Sequence, residues 1–422
     1  MPSAILHSDC NGFYAAVECL YRPEIRDKPV VVGGDESLRH GIVLAANQLA
    51  KRLYGVKTGE TLVTVRRRCP DLVVVKPDPR KYLRFAELTR EIYNDYTDQV
   101  EPFGLDEAFL DVTGSAGLFG DGEKIADAIR ERIKYELGIT VSIGVSYTKS
   151  FAKLASDMRK PDYTTVIARE DFRRVVWPLP AGELIYVGAA SAEKLRLHGV
   201  HTIGDLAGSN RDHVIRWLGS KNGGLLWDYA NGCDTSAVRK FEECMNDDSG
   251  MKSVGHSTTT PRDLRNAEDM KVTVMVLAEA VAARLREYKR LCRTVTLWLR
   301  DSAMASFTRQ RKVETPTNLA YEIAQNAMEL YQARYGLSPP PIRSVGVSAS
   351  DLIREEAYWQ LCFLPEERKR QKMTAIERTM DTIRDRYGHT AIARGMMVAD
   401  RALGSDNPKE DHIRTFPNCQ GA

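Results

Sequence analysis

Short apolar runs with strand character alternate with helical stretches through the first 165 residues, and that alternation leaves few architectures open. Ala4 to Ser8 reads as a strand broken by Asn11-Gly12. A helical stretch follows in which Ala16, Val17 and Leu20 share a face, and it stops before Pro23. Pro29 to Gly33, Gly41 to Ala46 and Leu72 to Val75 read as further strands, with a helix rich in Lys and Arg between the last two. Helical spacing returns over Arg80 to Tyr96 and Gly122 to Glu136, and strand character over Phe109 to Val112 and Thr140 to Tyr147. Such a run predicts an α/β or α+β catalytic domain. At 422 residues the chain is too long for one core, so the expectation is an α+β multidomain protein.

Composition shifts near Pro178 and Pro180. From there to about Gly232, short helices surround LIYVGAASAEKLRLHGVHTIGDLA, which reads either as a helix-hairpin-helix module or as an ordinary helical hairpin. The first kind presents backbone N–H groups to a phosphate, and Gly188 lies in its turn, Tyr186-Val187-Gly188. A polar linker containing Asn246-Asp247-Asp248 comes next. Lys252 to Leu352 then alternates strand-like runs with two amphipathic helices, as a compact α+β domain of about 100 residues would. The tail beyond it reads as helical and highly charged.

The net charge of +3 says little about partners. No basic n-region opens the chain and no stretch is long and apolar enough to span a bilayer, so no membrane association is expected. Eight scattered cysteines without a C-x-x-C pair suit reduced thiols in a cytoplasmic protein with no structural zinc.

Chemistry concentrates in two places. Asp9 ends the first strand on the face of Ile5 and His7, and a carboxylate there is costly unless paired or metal-bound. Asp106-Glu107 in EPFGLDEAFLDVTG puts two acids side by side. Neighbours on a regular strand point to opposite faces, so both converge only at a turn or bulge, which Gly104 permits. Three converging carboxylates repel one another, and hard divalent cations relieve this. Two magnesium ions about 3.5–4 Å apart are the arrangement suited to phosphoryl transfer.

In order, SDCNGFYAAVE, EPFGLDEAFLDVTGS and SIGVSYTKSFAKLASDMRKPD resemble the three signatures of Y-family translesion DNA polymerases, in the DNA polymerase IV and UmuC branch. The likeness continues through KSVGHSTTTPRDL and covers about residues 3 to 352. It implies a right-hand polymerase with palm, small fingers, a helix-hairpin-helix thumb and a little finger. Residues 1–22 and 77–166 would form the palm, 23–76 the fingers and 167–234 the thumb. Residues 235–250 would be a linker, 251–352 the little finger and 353–422 a C-terminal tail. The implied activity is template-directed, low-fidelity synthesis on primer-template DNA with deoxynucleoside triphosphates and two Mg2+ ions. The alternative is an inactive DNA-binding protein of the same fold, and the presence of all three acids argues against it.

The resemblance makes Asp9, Asp106, Glu107 and the Cys10 backbone carbonyl metal ligands, and Tyr14 the steric gate against a ribose 2′-OH. Lys160 would grip phosphates, and the N–H groups of Gly12 and Phe13 open a helix that can do so too. Phe13 reads equally as core. Asn11, where many members have Asp, reads as a helix N-cap. In the fingers the family's Tyr and Arg fall on Gln48 and on either Lys51 or Arg52. The basic strand around Arg300, Arg309 and Arg311 would track DNA phosphates, the latter two sharing a face. Gln360, Leu361, Phe363 and Leu364 resemble, with the last two residues swapped, the peptide that docks polymerases on a sliding clamp; packing of an apolar turn is the alternative.

Overall fold

The computed structural model describes residues 4–34, 41–246, 251–335, 340–357 and 365–404. Two compact units divide the chain, one holding residues 4–33 and 42–246, the other residues 251–404.

In the first unit, β1 (Ile5–Cys10) is the buried centre of a five-stranded sheet. Its neighbours are β6 (Glu107–Asp111) and β7 (Val141–Ser146), both antiparallel to it. The short β5 (Val100–Pro102) and β8 (Thr164–Val166) form the edges and were not visible as periodicity. Helix α1 (Phe13–Tyr21) follows β1 directly. A three-stranded sheet, β3 (Val43–Ala46), β2 (Val30–Gly33) and β4 (Val73–Val75), carries α2 (Gln48–Tyr54) and α3 (Leu62–Arg68). Asn47 and Thr61 cap these helices by accepting hydrogen bonds from Ala50 N and Thr64 N.

Helices α4 (Pro79–Asn94), α5 (Ala116–Phe119), α6 (Gly122–Arg132) and α7 (Lys149–Met158) complete the sheet's surroundings. Thr148 caps α7 by accepting from Phe151 N, and the helix lies hard against β7. A Cβ at Gly144 would meet Ala152 O at 2.0 Å, so only glycine allows that approach. A separate core gathers α8 (Phe172–Val176), α9 (Ala189–Leu197), α10 (Ile203–Gly208), α11 (Arg211–Leu218) and α12 (Ser220–Ala230) around Leu195, Ile203, Leu206 and Leu226.

The expected linker is fastened down as far as it is described. Val238 is buried against Ile5 and Phe109, Arg239 N donates to Glu101 at 2.9 Å, and α13 (Phe241–Asn246) follows.

The second unit is an antiparallel sheet of four long strands in the order β11 (Ser306–Thr317), β10 (Arg290–Asp301), β12 (Ile342–Arg354), β9 (Ser253–Leu264). Val295, Leu297, Leu299, Val345 and Val347 pack one face against α14 (Ala267–Glu287) and α15 (Ala320–Tyr335). The tail is no loose appendage. Helices α16 (Pro365–Tyr387), α17 (Gly395–Ala399) and α18 (Arg401–Gly404) pack back on this unit, and Leu403 joins its core. Glu279 and Arg286 of α14 reach Arg384 at 2.8 Å and Glu377 at 2.7 Å, all four side chains being almost fully buried. The helices are legible in the sequence but their docking is not, because charges buried in mutual pairs leave no apolar stripe.

Candidate active site

Asp9 and Glu107 are register partners on β1 and β6, so their side chains leave the sheet on one face at one level. Alternation puts His7 on that face as well. Asp106 lies one residue before β6, in the bend that Gly104 opens with φ 127°, and so escapes the opposite-face rule as expected. Cys10 N donates to Asp106 O at 3.0 Å, tying the bend to the end of β1.

The acids crowd one another. Burial first, then the charges of Glu107 and Asp9, push Asp106 up to about 7. Two lysines supply the opposing charge. Lys153 Nζ is 2.9 Å from Glu107 Oε2 and 3.2 Å from Asp9 Oδ2, and Lys160 Nζ is 2.7 Å from Asp9 Oδ2. Among the described residues no three His, Cys, Asp or Glu side chains reach the spacing of a metal cluster. The expected convergence is thus one of strand ends and charge, with Lys153 bridging two of the acids. Glu107 Oε2 is buried between two cationic or donor groups, Lys153 Nζ at 2.9 Å and His7 Nε2 at 3.2 Å. Three carboxylates against two lysines leave oxygen donors with surplus negative charge, which fit a hard divalent cation.

His7 and Lys153 are absent from the residues expected here. Alternation marked His7 as facing the acids; Lys153 left only the faint signal of a lysine on an apolar helix, because it meets Asp9 across 144 positions of sequence.

A cavity of about 460 Å3 opens beside the acids, walled by Asp9, Cys10, Gly12, Phe13, Tyr14, Gln48, Lys51, Asp106 and Lys160 among others. Of the two finger candidates Lys51 lines it and Arg52 does not. The Tyr14 ring stacks on Tyr82 at 4.2 Å and 11°. Tyr82 is itself fixed by a hydrogen bond from its hydroxyl to the buried Glu18, 3.1 Å long. Phe13 is 2% exposed, with its ring packed beside Tyr14 and Tyr82. Asn11 is not the cap of α1: its side-chain oxygen accepts from Ser142 at 3.0 Å, and Gly12 takes the cap with φ 59°. A Cβ at Gly12 would meet Ala46 O at 2.7 Å, so this corner needs glycine twice over.

Gly188 caps α9 with no side-chain hydrogen bond, preceded by Tyr186 at φ 68°, where a glycine would be unstrained. In the second unit the register corrects one expectation. Arg309 and Arg311 do share a face, but they pair with the core residues Leu297 and Val295 and therefore point to the helix side. Arg311 is ion-paired to Glu329 of α15. Arg300 shares the other, open face with Trp298 and Thr296, which line a concavity of about 620 Å3 there. Gln360, Leu361, Phe363 and Leu364 lie outside the described residues.

Residues 8–157 match the model of the impB/mucB/samB family, and residues 251–362 match the C-terminal domain of that family. A DNA polymerase IV of Acetivibrio thermocellus is 47% identical over 403 residues, covering 96% of this chain and 99% of the relative. The DNA polymerase IV of Pelotomaculum thermopropionicum is 38% identical, covering 94% of this chain and 96% of its own. Among solved structures, a Y-family DNA polymerase chimera of Dbh and Dpo4 superposes with a TM-score of 0.71 at 24% identity, covering 83% of this chain and 99% of that one.

Proposed function

The chain belongs to the impB/mucB/samB family and is a Y-family DNA polymerase, and from that premise we propose that it copies damaged templates by two-metal nucleotidyl transfer at Asp9, Asp106 and Glu107. The observation that carries the proposal is three crowded acids, one of them pushed up to about 7, two of which, Asp9 and Asp106, wall a nucleotide-sized cavity that also holds Tyr14, Lys51 and Lys160. A divalent metal requirement goes with membership; we assign Mg2+, two ions, to the three acids and the Cys10 carbonyl. When bound, such ions supply charge neutralisation and an acidified primer 3′-hydroxyl.

The chain's own groups do the positioning. Lys160 and Lys51 hold triphosphate oxygens, with the N–H groups of Gly12 and Phe13 at the start of α1. Tyr14, braced by Tyr82, fills the space a ribose 2′-OH would need. The buried Phe13 ring supports that pair from the core. On this reading residues 1–22 and 77–166 are the palm, 23–76 the fingers, 167–234 the thumb and 251–352 the little finger. Gly188 offers backbone N–H groups to the primer strand, and Arg300 contacts duplex phosphates.

Primer extension in Mg2+ is the test. Asp106→Ala should abolish extension while duplex binding stays within about threefold, since binding rests on phosphate contacts elsewhere; normal extension by this variant sinks the assignment. Tyr14→Ala should raise the ratio of ribonucleotide to deoxynucleotide insertion, and an unchanged ratio removes the gate. A sliding clamp is the proposed tether. Replacing Gln360, Leu361 and Phe363 with Ala should remove clamp stimulation and spare clamp-free extension; loss of both makes the segment structural.

A further inference from the structure

Lys153 occupies the centre of the acidic site. Its side chain is 15% exposed, and its ammonium touches Glu107, Asp9 and, at 3.3 Å, Asp157 Oδ2. Lys160 repeats the pattern from the outer side, 2.7 Å from Asp9 and 2.8 Å from Asp157 Oδ1. Both lysines therefore share one further acid. Asp157 stands one helical turn beyond Lys153 on α7, is 42% exposed at its side chain, and is not one of the three converging acids.

Asp9 and Glu107 face each other across adjacent strands and repel unless a cation lies between them. We propose that Lys153 is the resident counter-cation of the site, bridging Asp9 and Glu107 while divalent ions are absent and shifting its ammonium onto Asp157 when they arrive. The inference rests on the reading that Asp9, Asp106 and Glu107 hold divalent ions. A lysine suits the task because its charge rides on a flexible four-carbon stem and needs no fixed fork geometry. The destination is already within contact distance, at the i,i+4 spacing where helix side chains meet. Only rotamers change; no proton moves and no covalent bond forms.

The exchange has a thermodynamic signature. Contacts stronger in the metal-free state oppose metal binding, and contacts that strengthen in the loaded state favour it. Removing Lys153 should tighten binding, and removing Asp157 should weaken it. A general field effect gives the same signs but adds independently. Exchange makes the two non-additive, because Asp157 then acts through Lys153.

The first measurement uses the unmodified full chain: the rate at which acetic anhydride labels Lys153, read by peptide mass, in chelator and in Mn2+. Labelling should rise about threefold or more with Mn2+, as the ammonium leaves a closed bridge for a half-open pair. Unchanged labelling overturns the exchange. The second is a cycle of Mn2+ affinities, with free Mn2+ counted by electron paramagnetic resonance. Asp157→Asn should weaken binding about threefold in the unmodified background and clearly less beside Lys153→Met, where only the Lys160 pair of Asp157 is left to lose. Equal effects in both backgrounds overturn the exchange, leaving the metal reading intact. Absence of Mn2+ binding by the unmodified protein overturns the metal reading itself. If Lys153→Met does not fold, the labelling result decides alone.

Discussion

Asp162 takes a left-handed backbone conformation, φ 54°, two residues beyond Lys160, and its carboxylate is held by Arg130 at 2.8 Å and Lys134 at 2.9 Å. Burial pulls its pKa upward, but the two cations pull harder and hold it below the usual carboxylate range. A depressed folded value means stability that is present above the unfolded pKa of about 3.9 and lost as pH falls through the folded one. Asp162→Asn, which keeps the left-handed preference, should therefore cost about 1–2 kcal/mol at pH 7, and the difference should close as pH falls through the folded pKa. Thermal melts across that range check it; a difference that persists in acid would mean packing, not charge. The same variant should raise KM for nucleotides, since the anchored turn carries Lys160. Residues of this kind were the hardest to read from sequence. Asp9, Asp106 and Glu107 stood out because acids beside apolar strands are costly, whereas Lys153 and Tyr82 matter through neighbours far away in the chain. The N-cap rule misassigned Asn11 because Ser142, 131 positions later, offers its amide a better partner.

Strand faces are an element-scale property, and β11 shows what alternation alone leaves open. Periodicity correctly put Arg309 and Arg311 on one face. It could not say which face, because most of this edge strand is exposed on both sides and a one-residue shift exchanges them. Pairing with β10 resolves it, putting Lys312 opposite Thr294 and on the open side with Arg300. Around Trp298 that side is lined largely by small and hydroxyl groups, including Ser257, Thr259, Thr296 and Ser348. If duplex DNA lies on the open face, removing Arg300 and Lys312 together should lower the salt dependence of binding by about two phosphate contacts. Removing Arg309 and Arg311 should leave it nearly unmoved. The reverse result would put DNA on the helix side.

At the scale of the molecule, the break between the two units falls within the polar linker read at 235–250, whereas nothing in the sequence showed where the last forty described residues belong. Glu377 explains the difficulty: it is 2% exposed, pairs with Arg286 and Arg394, and accepts from Ala320 N at the start of α15. Removing one member of a buried network strands the others, so Glu377→Ala should destabilise the second unit by about 3 kcal/mol in urea unfolding. A loss under about 1 kcal/mol would mean that α16 merely rests on the surface. The docking of these helices also bears on how the protein is made. Ribosomes deliver a chain from its N-terminus, and domains fold as they emerge. The second unit gains Leu403, the last described member of its core, only after α14 to α17 have emerged. A chain cut short before that residue lacks a member of the core and should be less stable, and so more open to cellular proteases.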